Sequence, residues 1–188
     1  LGISTPTGPW LPRRKKPGDP KKTKGLDLDM PTLYLLRHGD AVPDQENLLR
    51  PLSDQGKEEV RSTATQAKTY GINFDKVLHS TKVRAKQSAE IFCETLGLDV
   101  PLQESPHILP MSEPEPMLEL CNETSGGLLI VTHLPFVNRL ASLLIGGKED
   151  AEQFTFKTAS LLCLTQRSGS DLLGPEGQWA VEHYISRP

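Results

Sequence analysis

The sequence predicts an α/β domain of three layers, a mostly parallel sheet with helices on both faces. Short apolar runs of strand length alternate with segments whose apolar residues recur at helical spacing. That alternation implies βαβ units and parallel strands. The 188 residues suit one domain with a sizeable core, and no internal repeat divides them.

The elements follow in order. Leu33 to Leu36 reads as a strand. Ser53 is placed to cap a helix running to Tyr70, with Gly71 as its stop, and Val60, Ala64 and Ala67 share one face of it. Lys76 to His79 reads as a short strand. Lys82 to Leu96 reads as a helix, with Ala85, Ala89, Phe92 and Leu96 in register and Gly97 at its end. Residues 101–116 hold five prolines and read as an irregular connection. Met117 to Asn122 suits a short helix and Gly127 to Val131 a buried strand. Pro135 suits the first turn of a helix that runs to Leu144 before Gly146 and Gly147. Ser160 to Thr165 and Trp179 to Ile185 read as late strands, paired like a hairpin across Gly174–Gly177.

Residues 1–29 differ from the rest. They are rich in proline and basic residues without apolar period, so they read as a disordered tail, and residues 30–188 read as the folded domain. Met30 stands directly before the first strand and reads as a working start. No signal-peptide apolar core is present.

A net charge of −3 argues against a dedicated nucleic-acid binder, and no apolar run reaches membrane-span length. Cys93, Cys121 and Cys163 are odd in number and lack CxxC spacing, so they read as structural thiols of a reducing, cytoplasmic setting. None has arginine six positions on, so a cysteine-based phosphatase loop is absent. The segment 145–150, IGGKED, lacks the spacing of a phosphate-binding P-loop.

In a mostly parallel sheet, ligands bind beyond the carboxyl ends of the strands. Arg37 and His38, in LYLLRHGDA, stand at that end of the first strand. Arg84 falls in the first helical turn after the second. His133, in LLIVTHLPF, ends the third, just before a helix begins. Three remote segments thus bring two guanidinium groups and two imidazoles to one rim. Guanidinium groups bind phosphate oxygens in bidentate fashion, and helix N-termini add free N–H groups. Gly39 lets the backbone leave strand geometry and a ligand approach closely. Neighbouring positive charge keeps an imidazole neutral. A neutral imidazole can attack phosphorus and form a covalent phosphohistidine, while the arginines stabilise charge on the equatorial oxygens. The scheme needs no metal and no cofactor. Asp40 either pairs with a pocket arginine or caps a turn. His79 and His107 read as structural and His183 as surface.

These motifs, LRHGDA, RPLSDQG, STKVRAKQS and VTHLPFV, come in an order that resembles the histidine phosphatase superfamily, which includes the phosphoglycerate mutases. The short chain, RHGDA and THLP are most similar to its SixA-type phosphohistidine phosphatase branch, over roughly residues 32–185. The resemblance implies His38 as nucleophile and Arg37, Arg84 and His133 as the rest of the phosphate pocket. It also implies Arg50 as an additional pocket arginine. Thr81 replaces the usual proline and His79 a small or apolar residue. The Glu or Asp proton donor of many members has no clear match among Glu113, Glu115 and Glu119, and His133 is followed by Leu134 and Pro135. The SixA branch is similar in lacking it. Such a site suits the reactive P–N bond of phosphohistidine better than a phosphate ester. The expected partner is a protein carrying phosphohistidine, with a small phosphorylated molecule or a non-catalytic phospho-ligand module as alternatives. Nucleic acid and membrane are not expected partners.

Overall fold

The computed structural model describes residues 30–149, 155–167 and 178–186. The basic N-terminal segment 1–29 and the Gly174–Gly177 turn lie outside the described residues. In chain order the elements are β1 (Thr32–Arg37), α1 (Asp54–Thr69), β2 (Lys76–Ser80), α2 (Val83–Leu96), β3 (Leu102–Ser105), a 3-10 turn (Pro106–Ile108), α3 (Glu115–Asn122), β4 (Gly127–Thr132), α4 (Phe136–Gly146), β5 (Leu161–Gln166) and β6 (Trp179–Ile185).

The strands form one sheet in the order β3-β2-β4-β1-β5-β6. β1, β2, β3 and β4 pair in parallel. β5 runs antiparallel to both β1 and β6, so it is the one reversed strand of the six. Period-two alternation in β1 feeds two cores. Tyr34 and Leu36 face the layer of α1 and α2, with Val60, Ala64 and Phe92. Leu33 and Leu35 face the layer of α3 and α4, with Met117, Val137 and Leu140.

Helix ends follow local chemistry. The Ser53 side chain accepts the Gly56 N–H at 3.0 Å and caps α1. Gly97 ends α2 and Gly147 ends α4, both in the left-handed conformation that glycine adopts without strain.

The proline-rich stretch 101–116 departs from expectation. Leu102–Ser105 forms a strand at the edge of the sheet, paired in parallel with β2. Gln103 and Glu104 are exposed there, so no apolar alternation marks the strand, and flanking prolines are tolerated at a sheet edge.

The chain from β1 into α1 is packed backbone to backbone. A Cβ added at Gly39 would collide with the Gly56 carbonyl, and one added at Gly56 would collide with the Asp40 carbonyl. The room that Gly39 leaves is therefore filled by the first turn of α1. Gly56→Ala is expected to lower unfolding free energy by about 1–3 kcal/mol, read from urea denaturation, because backbone on both sides must shift. An unchanged midpoint would contradict the contact.

Candidate active site

β1 and β4 are neighbours whose connections leave to opposite sides of the sheet, so a crevice opens at their carboxyl ends. His38 sits there on a secured backbone. Its N–H donates to the Thr132 carbonyl at 3.0 Å, and its carbonyl accepts the Ala159 N–H at 3.1 Å. Its Nδ1 lies 2.6 Å from the Gly39 carbonyl. A carbonyl only accepts, so Nδ1 carries the proton and Nε2 carries the lone pair. Arg84, in the first turn of α2, donates from Nε to that Nε2 at 3.3 Å. The His133 ring lies beside it, with centroids 4.9 Å apart.

Arg37 is half-buried. Its Nη1 donates to the Phe156 carbonyl at 2.6 Å, while its Nε is buried without a hydrogen-bond partner. The guanidinium is thus anchored at one end and unsatisfied at another. The Nδ1 of His133, a residue 2% exposed, is likewise buried without a partner. Both are polar atoms that the oxygens of a bound polyanion can satisfy. Arg50 holds a left-handed backbone (φ +47°), and its Nε donates to the Val42 carbonyl at 3.2 Å. Its charge reaches His38 and Arg84.

Burial is the main cause that pushes the His38 pKa down to about 4; the Gly39 carbonyl, second in size, pulls it up, and Arg84, Arg37 and Arg50 add to the downward push. Burial, then His38, Arg84, Lys82 and Arg37, push His133 down to about 3. Apart from the imidazoles themselves, the charges acting on the two rings are all cationic. Both imidazoles are therefore neutral at pH 7. The folded values lie below the ordinary 6.5, so the unfolded chain binds more protons as acid is added. Stability is full above about pH 6.5 and falls as pH drops towards 4, by up to ~1.4 kcal/mol per pH unit for each ring. In phosphate-free buffer, NMR titration of both rings is expected to show no midpoint near 6.5. An ordinary midpoint at His38 would contradict the burial and charge seen here.

The structure brings Arg37, His38, Arg84 and His133 together, with Arg50 at the edge. Gly39 contributes a carbonyl to His38, and its N–H donates to Ser88 Oγ at 3.1 Å. Asp40 belongs to the helix cap: its Oδ2 accepts from Ser53 Oγ at 2.6 Å, and its N–H donates to Glu59 Oε2 at 3.0 Å. His79 is buried and donates from Nδ1 to the Ser80 carbonyl at 2.9 Å, while His107 is exposed. His183 is half-buried against the Tyr70 ring. Cys93, Cys121 and Cys163 are free and buried, their thiols pushed up by burial to about 11, 12 and 12. Among the described residues no cluster of three or more His, Cys, Asp or Glu could hold a metal, and no helix is long and apolar enough to cross a membrane.

Sequence reasoning gave no role to Ser80, Ser88, Thr63 or the segment 156–160. Ser80 and Ser88 lie within STKVRAKQS, and that spacing was the available signal. Thr63 Oγ1 donates to the Ala159 carbonyl at 2.8 Å, and Ala159 itself has φ +56°. Phe156, Ala159 and Ser160 act on Arg37 and His38 through backbone groups, which no side-chain pattern discloses.

Residues 33–108 match the model of the histidine phosphatase superfamily, branch 1. The phosphohistidine phosphatase SixA of Escherichia coli (strain K12) is 29% identical over 139 residues, which cover 71% of this chain and 86% of that protein. The structure of the protein histidine phosphatase SixA complexed with tungstate superposes with a TM-score of 0.68 at 26% identity, covering 82% of this chain and 96% of that one. The chain is therefore similar to histidine phosphatases, through the family pattern at 33–108 and through SixA over most of its length. A 2,3-bisphosphoglycerate-dependent phosphoglycerate mutase of Staphylococcus carnosus (strain TM300) is 39% identical over a shorter stretch of 82 residues, 40% of this chain and 36% of that protein. The likeness to SixA spans most of both proteins, and the α/β fold is shared with the SixA structure.

Proposed function

We propose that this histidine phosphatase removes the phosphoryl group from a phosphohistidine on a protein, by way of phospho-His38. The observation that carries the reading is the state of His38: a neutral ring, its Nδ1–H spent on the Gly39 carbonyl, its Nε2 lone pair inside a ring of cations. In the first step Nε2 bonds to phosphorus and the substrate's P–N bond breaks. In the second, water attacks phosphorus, the bond to His38 breaks, and inorganic phosphate leaves. Arg37, Arg84 and His133 hold the phosphoryl oxygens through both steps.

The leaving group follows from the charges. No carboxylate is among the groups acting on His38 or His133. Among the described acids nearby, Asp40 and Glu59 are bonded into the start of α1, and Glu113 pairs with Arg139. A phosphohistidine protonated on its second ring nitrogen departs as neutral imidazole without an enzymatic acid. An alkoxide does not. The similarity to SixA, a phosphohistidine phosphatase, supports a phosphohistidine substrate.

A protein is favoured over a small metabolite by the rim. Leu48 and Leu49, which precede Arg50, are 91% and 68% exposed, an apolar shoulder beside the cations. Phosphate release from a histidine-phosphorylated protein, phosphoramidate and p-nitrophenyl phosphate tests the reading. The P–N substrates are expected to exceed the ester by roughly 10²-fold in kcat/KM, the scale of a missing general acid. Leu48→Ser with Leu49→Ser is expected to raise KM for the protein alone. Equal rates on ester and P–N bonds would overturn the phosphohistidine assignment.

A further inference from the structure

We propose that Ser80 fixes the tautomer of His133, so that the second imidazole meets the phosphoryl group as a hydrogen-bond donor. The proposal deepens the phosphatase reading above and rests on it for its catalytic part. Its structural part can be tested on the free protein.

Ser80 closes β2 and is fully buried, 0% exposed. Its Oγ contacts the Nε2 of His133 in a short hydrogen bond. The same Oγ accepts the Lys82 N–H at 3.4 Å, where α2 begins. A serine hydroxyl has one proton to give. Lys82 N–H is a donor, so it cannot take that proton, and the acceptor at hand is His133 Nε2. A neutral imidazole that accepts at Nε2 carries its proton at Nδ1.

That Nδ1 has no hydrogen-bond partner in the protein, although it is buried. Its ring stands beside that of His38, whose Nε2 holds a lone pair. A phosphoryl group between them meets a nucleophile on one ring and an N–H on the other. The opposite tautomer of His133 would set a second lone pair against the oxyanion and leave the Ser80 proton without an acceptor. Buried donors normally find partners, so an orphaned N–H next to the nucleophile fits a ligand that completes it. Ser80 acts through His133 and is a positioning residue.

Long-range ¹H–¹⁵N correlation of the imidazoles reads the tautomer directly. In wild type, His133 is expected to be protonated at Nδ1, with Nε2 as acceptor. In Ser80→Ala the preference is expected to be lost, and kcat to fall on the order of tenfold to a hundredfold, less than on removing a whole donor. KM is expected to change little, because the cations that attract the anion remain. Ser80→Thr keeps the hydroxyl and is expected to restore both tautomer and rate. Protonation of His133 at Nε2 in wild type would overturn the proposal, whatever the activity. An unchanged tautomer in Ser80→Ala would do the same. Absence of a phosphoenzyme at His38 would instead strike the phosphatase mechanism and leave the tautomer measurement standing.

Discussion

His38→Ala is expected to lose roughly 10⁴-fold or more in phosphatase rate and to form no phosphoenzyme. The size follows from what each group can do alone. In the proposed mechanism Arg37, Arg84 and His133 concentrate and stabilise the phosphoryl group, but none of them presents a lone pair to phosphorus. His38 does, because the Gly39 carbonyl accepts a hydrogen bond from its Nδ1–H at 2.6 Å and burial with cations keeps Nε2 unprotonated. Without that ring, water must attack directly, with no base in place to activate it. The phosphoenzyme of wild type should be acid-labile and alkali-stable, as a P–N bond to imidazole is, and should map to the peptide holding residue 38. His38→Ala should still bind inorganic phosphate, since the guanidinium groups are untouched. Label retained in the variant, on His133 or any other side chain, would remove the nucleophile assignment. An undiminished rate would remove it more simply.

The fold was legible where local chemistry and burial agree. The Ser53 cap, the Gly97 stop and the buried run of Gly127–Thr132 each announce an element, and each forms. β3 was not legible, because an edge strand with a solvated side has no need of apolar alternation. The site was legible as a set of side chains. Arg37, His38, Arg84 and His133 are brought together, as the sheet rule for the ends of their segments leads one to expect, and the proposed chemistry is theirs. The supports were not. Phe156 and Ala159 work through a carbonyl and an N–H, so their side chains say nothing of the role. Gly39 was legible as special but for a different contact: the sequence suggests room for a ligand, whereas the Gly56 backbone occupies that room. From sequence, a glycine that admits a helix looks the same as one that admits a guest.

Arg84→Ala is expected to reduce kcat by roughly 10²–10³-fold, the scale for losing one preorganised donor to a developing oxyanion. In the proposed mechanism Arg84 has two duties that fall on the same atoms. In the free enzyme its Nε donates to His38 Nε2 at 3.3 Å, which holds the ring's lone pair towards the crevice and disfavours its protonation. When the phosphoryl group enters, that lone pair is needed for the new bond, and the guanidinium must pass to the equatorial oxygens. The exchange is short, because the oxygens arrive within reach of the donor that releases the nitrogen. Lysine keeps the charge but offers a single point in place of a planar fork, so Arg84→Lys is expected to recover only part of the rate. The His38 pKa separates the two duties. Arg84→Ala should raise it from about 4 towards the ordinary value, though not to it, since burial is the larger cause and Arg37 and Arg50 remain. If Arg84→Ala moved neither the rate nor the titration of His38, the donor at 3.3 Å would be a neighbour of the nucleophile and no part of its chemistry.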